Sequence, residues 1–306
     1  MPNDQRLTGV LAPVVTAFDA NLDPDVERWV RHCRWLVDND VGLAVFGTNS
    51  EANSMSVAEK LELLERLVEA GLPPRRMMPG TGCCALPDTV ELTRKAVELG
   101  CAGVLMLPPF YYKGVSDDGL YRSYAEVIER VADARLRIYL YHIPQIANVP
   151  ITLTLIERLL RDYPKIIAGV KDSPGDWDNT LAMLERFQPH GFDVFCGSES
   201  FLLETLRHGG AGSITATANV NPAPIARLCR EFEQAGAERL QAELDAVREI
   251  FQGYVMIPGM KAALAHYLDD PQWSRVRPPL DETGDGQREQ LVSALRKIGF
   301  EITGLA

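Results

Sequence analysis

Eight short apolar runs, each followed by an amphipathic stretch, organise the chain from residue 10 to about residue 233. The runs cover residues 10–17, 41–47, 76–81, 103–107, 137–141, 166–171, 193–197 and 212–215. The intervening segments read as helices. In residues 56–70, for example, Val57, Leu61, Leu64 and Val68 recur at helical spacing. Ser56 and Glu59 have the spacing of a capping box, and Pro87 and Pro222 fall where a first helical turn begins. Strands alternating with helices, with no low-complexity linker, predict a parallel sheet. Eight such units predict an α/β fold of the (β/α)8 TIM-barrel type rather than an open doubly wound sheet. Past residue 234 the strand-like runs stop, and residues 240–253, 260–268 and 288–298 read as helices. The expected organisation is a barrel over residues 1–233 with a C-terminal helical extension over residues 234–306.

A (β/α)8 barrel does its chemistry at the C-terminal ends of its strands, so the polar residues that follow each run carry the functional reading. The sixth run ends in Lys171. Alternation sets Ile167, Gly169 and Lys171 on one strand face and Ile166, Ala168 and Val170 on the other. Desolvation disfavours an ammonium ion, and a lysine at such a strand end can attack a keto group to form a Schiff base. A strand-end lysine can equally snorkel to water. After the second run come Gly47, Thr48, Asn49, Ser50 and Glu51, a turn that offers donors to a carboxylate or simply caps a helix. At the fifth, Tyr139 and Tyr141 share a face that points into the barrel mouth beside Lys171. A phenol there relays a proton or packs as an ordinary aromatic. His142 faces the other way, as a packing or supporting residue.

Composition removes other classes of function. The 306 residues are 46% hydrophobic, and 31 basic against 42 acidic side chains leave a net charge of −11. That balance argues against a nucleic acid or an anionic membrane as partner. No run approaches the ~18 apolar residues of a membrane span. The segment from Met1 to Arg6 lacks a secretory apolar stretch, so a cytoplasmic location is expected. Cys33, Cys83, Cys84, Cys101, Cys196 and Cys229 form no disulfide or zinc pattern, though Cys83 and Cys84 follow a strand end and either line a pocket or fill space. The five histidines show no ligand spacing, and there is no P-loop or dinucleotide fingerprint, so no metal and no cofactor are expected.

The Gly47 to Glu51 loop (GxxxE), Tyr141 to Pro144 (Tyr-x-x-Pro), Gly169 to Lys171 (Gly-x-Lys) and a glycine-rich stretch over residues 209–219 that ends in Ala218 and Asn219 occur in this order. Together they resemble the dihydrodipicolinate synthase and N-acetylneuraminate lyase family of class I aldolases. The resemblance covers residues 7–219 and, more loosely, the C-terminal helices. It implies a Schiff-base lysine at Lys171, with Tyr141 as proton-transfer partner and Thr48 linking that phenol to a second tyrosine from a neighbouring subunit. The second tyrosine is Tyr111, with Tyr112 as the adjacent alternative. Thr48 and Asn49 would bind the substrate carboxylate, the Ile214 carbonyl would line the same pocket, and Ser173, Gly197 and Glu199 would be further substrate contacts. The assembly implied is a homotetramer, a dimer of dimers with the tyrosine crossing the tight interface.

Departures from the family pattern bear on the substrate. Diaminopimelate-pathway synthases carry an arginine two residues after the Tyr-x-x-Pro proline, where this chain has Ile146; an apolar side chain cannot replace that ion pair. Sialic acid lyases carry two acidic residues after the glycine equivalent to Gly197, and only Glu199 remains here. Asn49 and Ser50 stand where many members read Thr-Gly, and an asparagine there is found in lyases of the 4-hydroxy-2-oxoglutarate type. The expected function is a lyase that makes or breaks a carbon–carbon bond next to a 2-oxo acid, with pyruvate as the common fragment. The alternatives are a 2-keto-3-deoxy sugar acid dehydratase, a 4-hydroxy-tetrahydrodipicolinate synthase and a non-catalytic keto-acid sensor.

Overall fold

The computed structural model describes residues 6–305, so residues 1–5, where no leader-like run was expected, lie outside the described part. Among the described residues seven strands form one parallel sheet: β1 (Gly9–Ala12), β2 (Gly42–Leu43), β3 (Val104–Met106), β4 (Ile138–His142), β5 (Ile167–Asp172), β6 (Asp193–Cys196) and β7 (Gly212–Ile214). Their order is β2-β1-β7-β6-β5-β4-β3. The two outer strands of that order are joined through the third apolar run. Met77 bridges in parallel to Leu43, and Gly80 to Leu105. The curled sheet therefore closes as a (β/α)8 barrel. The run at 76–81 makes bridges rather than a continuous ladder because Pro79 has no N–H to donate, although its carbonyl still accepts from Leu105 N at 2.9 Å.

Two apolar layers result. One lines the barrel interior, with Leu11, Met78, Leu105, Tyr139, Phe195 and Ile214 among its members. The other packs the outer strand faces against the helices and runs without a break into the helices Ala237–Gln252, Met256–Tyr267 and Asp285–Lys297. The C-terminal helices thus share the barrel's core. Among the described residues no helix is long and apolar enough to cross a membrane.

Local sequence signals account for several helix starts. Ser56 and Glu59 make the reciprocal capping box at the head of the helix Val57–Glu69. Pro87 and Pro222 sit in the first turns of Leu86–Glu98 and Pro222–Glu231. The buried stripe of Val57–Glu69 is Lys60, Leu63, Leu64 and Leu67, which shares Leu64 with the expected Val57, Leu61, Leu64 and Val68 and leaves the other three half-buried. Leu63 and Leu67 complete an apolar face on which Lys60 can lay its alkyl stem.

The expected alternation in β5 holds only at its C-terminal end. The pairing with β4 slips between Ile138 and Tyr139, which align with Ile167 and Gly169. Ala168 consequently joins the interior layer and Ile167 the outer one, the reverse of their predicted faces. Gly169 makes room for Tyr139, fully buried in the barrel, because a Cβ there would lie 2.8 Å from its ring. Tyr139 does not reach the mouth. Its hydroxyl donates to Asp193 at 3.0 Å, at the N-terminal end of β6, so it fills the barrel floor.

Candidate active site

Lys171 leaves β5 one residue before the strand ends and is 3% exposed. Its Nζ donates to the Tyr141 hydroxyl at 3.3 Å and lies 4.4 Å from the centre of that ring. Tyr141 is opposite Lys171 in the β4–β5 register, which is why the two converge. On its other side the Tyr141 hydroxyl lies 3.2 Å from Thr48 Oγ1. Lysine, phenol and threonine therefore form a hydrogen-bonded chain across three strand ends. Such a chain can carry a proton between a nitrogen at Lys171 and a group beyond Thr48.

Thr48 is held by a loop with little freedom. Residues Thr48–Ser50 make one 3₁₀ turn, in which Gly47 N donates to Ser50 Oγ at 3.2 Å and Thr16 Oγ1 donates to the Ser50 carbonyl at 2.7 Å. Phe46 and Glu51, which flank the turn, are both left-handed, at φ 62° and 57°. Asn49 is half-buried on this turn. The turn is thus both a capped turn and a carrier of Thr48.

Other expected residues gather near the same strand ends. Ser173 follows β5, and its Oγ is a buried hydroxyl with no partner among the described residues. Gly197 follows β6 at a point where any Cβ would stand 2.2 Å from that oxygen. Ile214 ends β7 in the barrel-lining layer. Glu199 is 1% exposed. Its carboxylate accepts from Thr215 Oγ1 and Thr217 Oγ1, with Arg248 Nη1 at 3.4 Å. Its polar capacity is directed to that network. Tyr111 and Tyr112 are not brought to Lys171 within one chain: they are 73% and 72% exposed and pack edge to face with centroids 5.3 Å apart. Lys113 ties their segment to the short helix Pro144–Ala147 through the Phe110 and Ala147 carbonyls. Ile146 lies on that helix and is 58% exposed.

Two neighbours, Asp172 and Lys60, escaped the reading of the sequence. Asp172, which faces away from Lys171, accepts from Thr180 Oγ1 at 2.6 Å and Asn179 Nδ2 at 2.9 Å. Burial is the main reason its carboxyl rises to about 6. His142 packs behind the site, as its predicted orientation requires. Its Nδ1 accepts from Ile151 N at 3.0 Å, and burial lowers its pKa to about 4. Lys60 borders a cavity of about 20 Å³ shared with Thr48 and Tyr141, and its Nζ lies 3.8 Å from Cys83 Sγ. A space of that size admits about one water. Cys83 is half-buried and Cys84 exposed. Asn219, from the glycine-rich motif, latches the loop after β1: its Oδ1 accepts from Val15 N at 2.9 Å and its Nδ2 donates to the Pro13 carbonyl at 3.2 Å. A much larger cavity, of about 1000 Å³, opens at the other end of the barrel beside Gly9, Gly42, Asp193 and Arg230. It lies at the N-terminal ends of the strands, the face that serves stability rather than chemistry in such barrels.

A closed parallel barrel with a buried lysine and tyrosine and a half-buried threonine in contact at its mouth marks a barrel enzyme of the lyase type. The chain belongs to the dihydrodipicolinate synthetase family, whose pattern matches residues 6–298. It is 34% identical over 294 residues to an uncharacterized DapA-like lyase of Chloroflexus aurantiacus, covering 95% of this chain and 96% of that one. It is 36% identical over 300 residues to the 4-hydroxy-tetrahydrodipicolinate synthase of Thermus thermophilus, again covering 95% and 96%. Among solved structures it is similar to a prophage protein of the dihydrodipicolinic acid synthase family from E. coli in complex with pyruvate. That match has a TM-score of 0.86 and 25% identity, and it covers 96% of this chain and 99% of that one. The protein is a lyase of this family.

Proposed function

We propose that the protein forms an imine between Lys171 and a 2-oxo acid and uses it to make or break the bond between C3 and C4, with pyruvate as the shared fragment. The observation that carries this reading is the buried Lys171 Nζ 3.3 Å from the Tyr141 hydroxyl. The pyruvate bound to the E. coli relative supports the choice of fragment. In this reading the unprotonated Lys171 amine adds to the keto carbon, and Tyr141 delivers the proton with which the carbinolamine oxygen leaves as water. In the cleavage direction Tyr141 then takes the proton of a C4 hydroxyl. The C3–C4 bond breaks, an aldehyde departs, and the electron pair remains as the enamine on Lys171. Thr48 and Asn49 hold the substrate carboxylate, with the Ile214 carbonyl beside it. The unpartnered Ser173 hydroxyl, left open by Gly197, is suited to a substrate oxygen.

Tyr111, or Tyr112 beside it, completes the relay through Thr48 of a second copy, so the working form is at least a dimer and, by family likeness, a dimer of dimers. The exposure of both tyrosines in the single chain supports this. Six free cysteines are in keeping with a cytoplasmic location. The test is borohydride reduction with pyruvate followed by intact-mass and peptide analysis. One adduct per chain, on Lys171, is expected, and Lys171→Ala should lose both adduct and turnover. An adduct on another lysine, or full activity in the alanine variant, would overturn the mechanism.

A further inference from the structure

Glu51 closes the turn that carries Thr48 and Asn49, yet among the described residues both hydrogen bonds to its carboxylate come from beyond the barrel. Oε1 accepts from Lys261 Nζ at 2.7 Å, on the helix Met256–Tyr267. Oε2 accepts from Arg277 N at 2.8 Å, in the segment that follows the same helix. Both side chains of the Glu51–Lys261 pair are completely buried, and Phe18 stacks against the cations: Lys261 Nζ lies 4.6 Å and the Arg277 guanidinium 4.8 Å from its ring centre. Burial pulls the Lys261 pKa down, and Glu51 acts against that fall. The Arg277 side chain fastens the stretch after the turn as well, donating to the Ser54 carbonyl at 2.8 Å and pairing with Glu59, and it also donates to the Leu22 carbonyl, ahead of the first helix, at 2.8 Å.

A buried ion pair is a poor source of net stability, since an apolar pair of similar volume often does as well. What it supplies is a fixed geometry. The turn it fixes is conformationally costly, because Phe46 and Glu51 are both left-handed without being glycine. A backbone of that kind persists only where its surroundings over-determine it, and here the surroundings include two groups contributed by the C-terminal extension. The turn delivers Thr48 Oγ1 to within 3.2 Å of the Tyr141 hydroxyl.

We propose that Glu51 and Lys261 are a positioning pair through which the C-terminal extension sets the Thr48–Asn49 turn against Tyr141, and so sets both carboxylate binding and proton relay. This rests on the function proposed above for Lys171, Tyr141 and Thr48. Neither residue touches substrate; they act through the turn.

The test uses full-length Glu51→Asp, which keeps the charge but withdraws the carboxylate by one methylene, and the neutral pair Glu51→Gln/Lys261→Gln. Thermal melts first identify a temperature at which each variant is folded. There the Glu51→Asp enzyme should show a KM for the oxo acid raised at least fivefold and kcat lowered about tenfold, while borohydride still traps one pyruvate on Lys171. The neutral pair, which leaves no lone buried charge and can restore a hydrogen bond across the same gap, should recover part of both constants. Unchanged kcat and KM in folded Glu51→Asp, with only the melting temperature moved, would overturn the proposal and leave the pair a structural one. Should even the parent enzyme fail to trap pyruvate, the imine reading fails instead, and the two failures stay distinct.

Discussion

At the scale of single residues, environment decides what each polar group around Lys171 does. Asp172 is next to it in sequence but on the opposite face of β5, in a buried pocket that holds its carboxyl at about 6. A carboxyl whose folded pKa is raised binds protons more tightly folded than unfolded. Its contribution is therefore most favourable below about pH 4 and is lost as pH rises through 6. The span of about two units corresponds to roughly 3 kcal/mol. Asp172→Asn should stabilise the protein near pH 7 and flatten that part of the stability–pH curve. Asn179 and Thr180 stay satisfied, because the Thr180 hydroxyl can turn to donate to the Asp176 carbonyl, now 3.3 Å away, and accept from the new amide. Denaturant melts at pH 4, 6 and 7.5 measure it; an unchanged slope in the variant would remove Asp172 from the account. Ile146 makes a second expectation. An apolar side chain there gives no charge-assisted bond to a carboxylate on the incoming aldehyde, a loss of about 1.5 to 3 kcal/mol or roughly one to two powers of ten in rate. Condensation of pyruvate with aspartate semialdehyde should be slower than the best aldehyde of a screen by that factor, and Ile146→Arg should narrow the gap. Steady-state kinetics on both enzymes decide it, and robust parent activity would show another cation in the arginine's role.

At the scale of elements, the β/α rhythm was legible because a buried parallel strand and an amphipathic helix write different periods into the chain, and caps such as Ser56 and Glu59 mark where one gives way to the other. What periodicity could not carry was the local exception. Pro79 interrupts the third ladder, and the slip at Ile167 and Ala168 exchanges two side chains between faces, since register depends on the neighbouring strand and not on the strand's own pattern. The same limit hid the partners of the site. Lys171, Tyr141 and Thr48 were visible as strand-end residues of a resembling family, whereas Glu51 and Lys261 meet across 210 positions that no spacing rule connects. The helix Val26–Asp38 offers another such contact. Its His32 is fully buried between Trp35 and Trp273, 3.3 Å from Asn219 Oδ1, where it joins the barrel to the C-terminal extension. Burial holds its pKa near 4. A histidine depressed in this way leaves stability intact above about pH 6.5 and removes it as pH falls towards 4, by up to roughly 3 kcal/mol. His142, also near 4, acts in the same direction. Melting temperature should therefore drop between pH 6.5 and 4, opposing the effect of Asp172, and His32→Gln should lessen that drop. An equal fall in the variant would assign the acid lability to other groups.

At the scale of the whole molecule, the single chain leaves apolar surface uncovered. Tyr111, Tyr112 and Val115 form an exposed apolar segment that Lys113 ties to the helix bearing exposed Ile146, where a monomer would lose nothing by having polar residues. A second copy covering this segment would bury it and bring a tyrosine to Thr48, beyond which the relay from Lys171 and Tyr141 has no described continuation in the chain itself. The active unit should then be at least a dimer at working concentrations, measurable by sedimentation. Tyr111→Phe should lower turnover sharply yet leave the borohydride adduct detectable, because imine formation needs chiefly Lys171 and Tyr141 while the relay moves protons to and from solvent. Mixing Lys171→Ala with Tyr111→Phe under conditions that exchange subunits gives the decisive measurement. If the tyrosine acts in trans, each mixed dimer holds one site with both residues intact and one with neither, so activity returns to about half per mixed dimer, an expectation that follows from the two-fold symmetry of such interfaces. Failure to recover, with exchange demonstrated by mass, would mean that the tyrosine serves its own chain or that Tyr112 holds the role. Repeating the mixture with Tyr112→Phe separates these two outcomes: recovery appears only when the residue that crosses the interface is the one replaced.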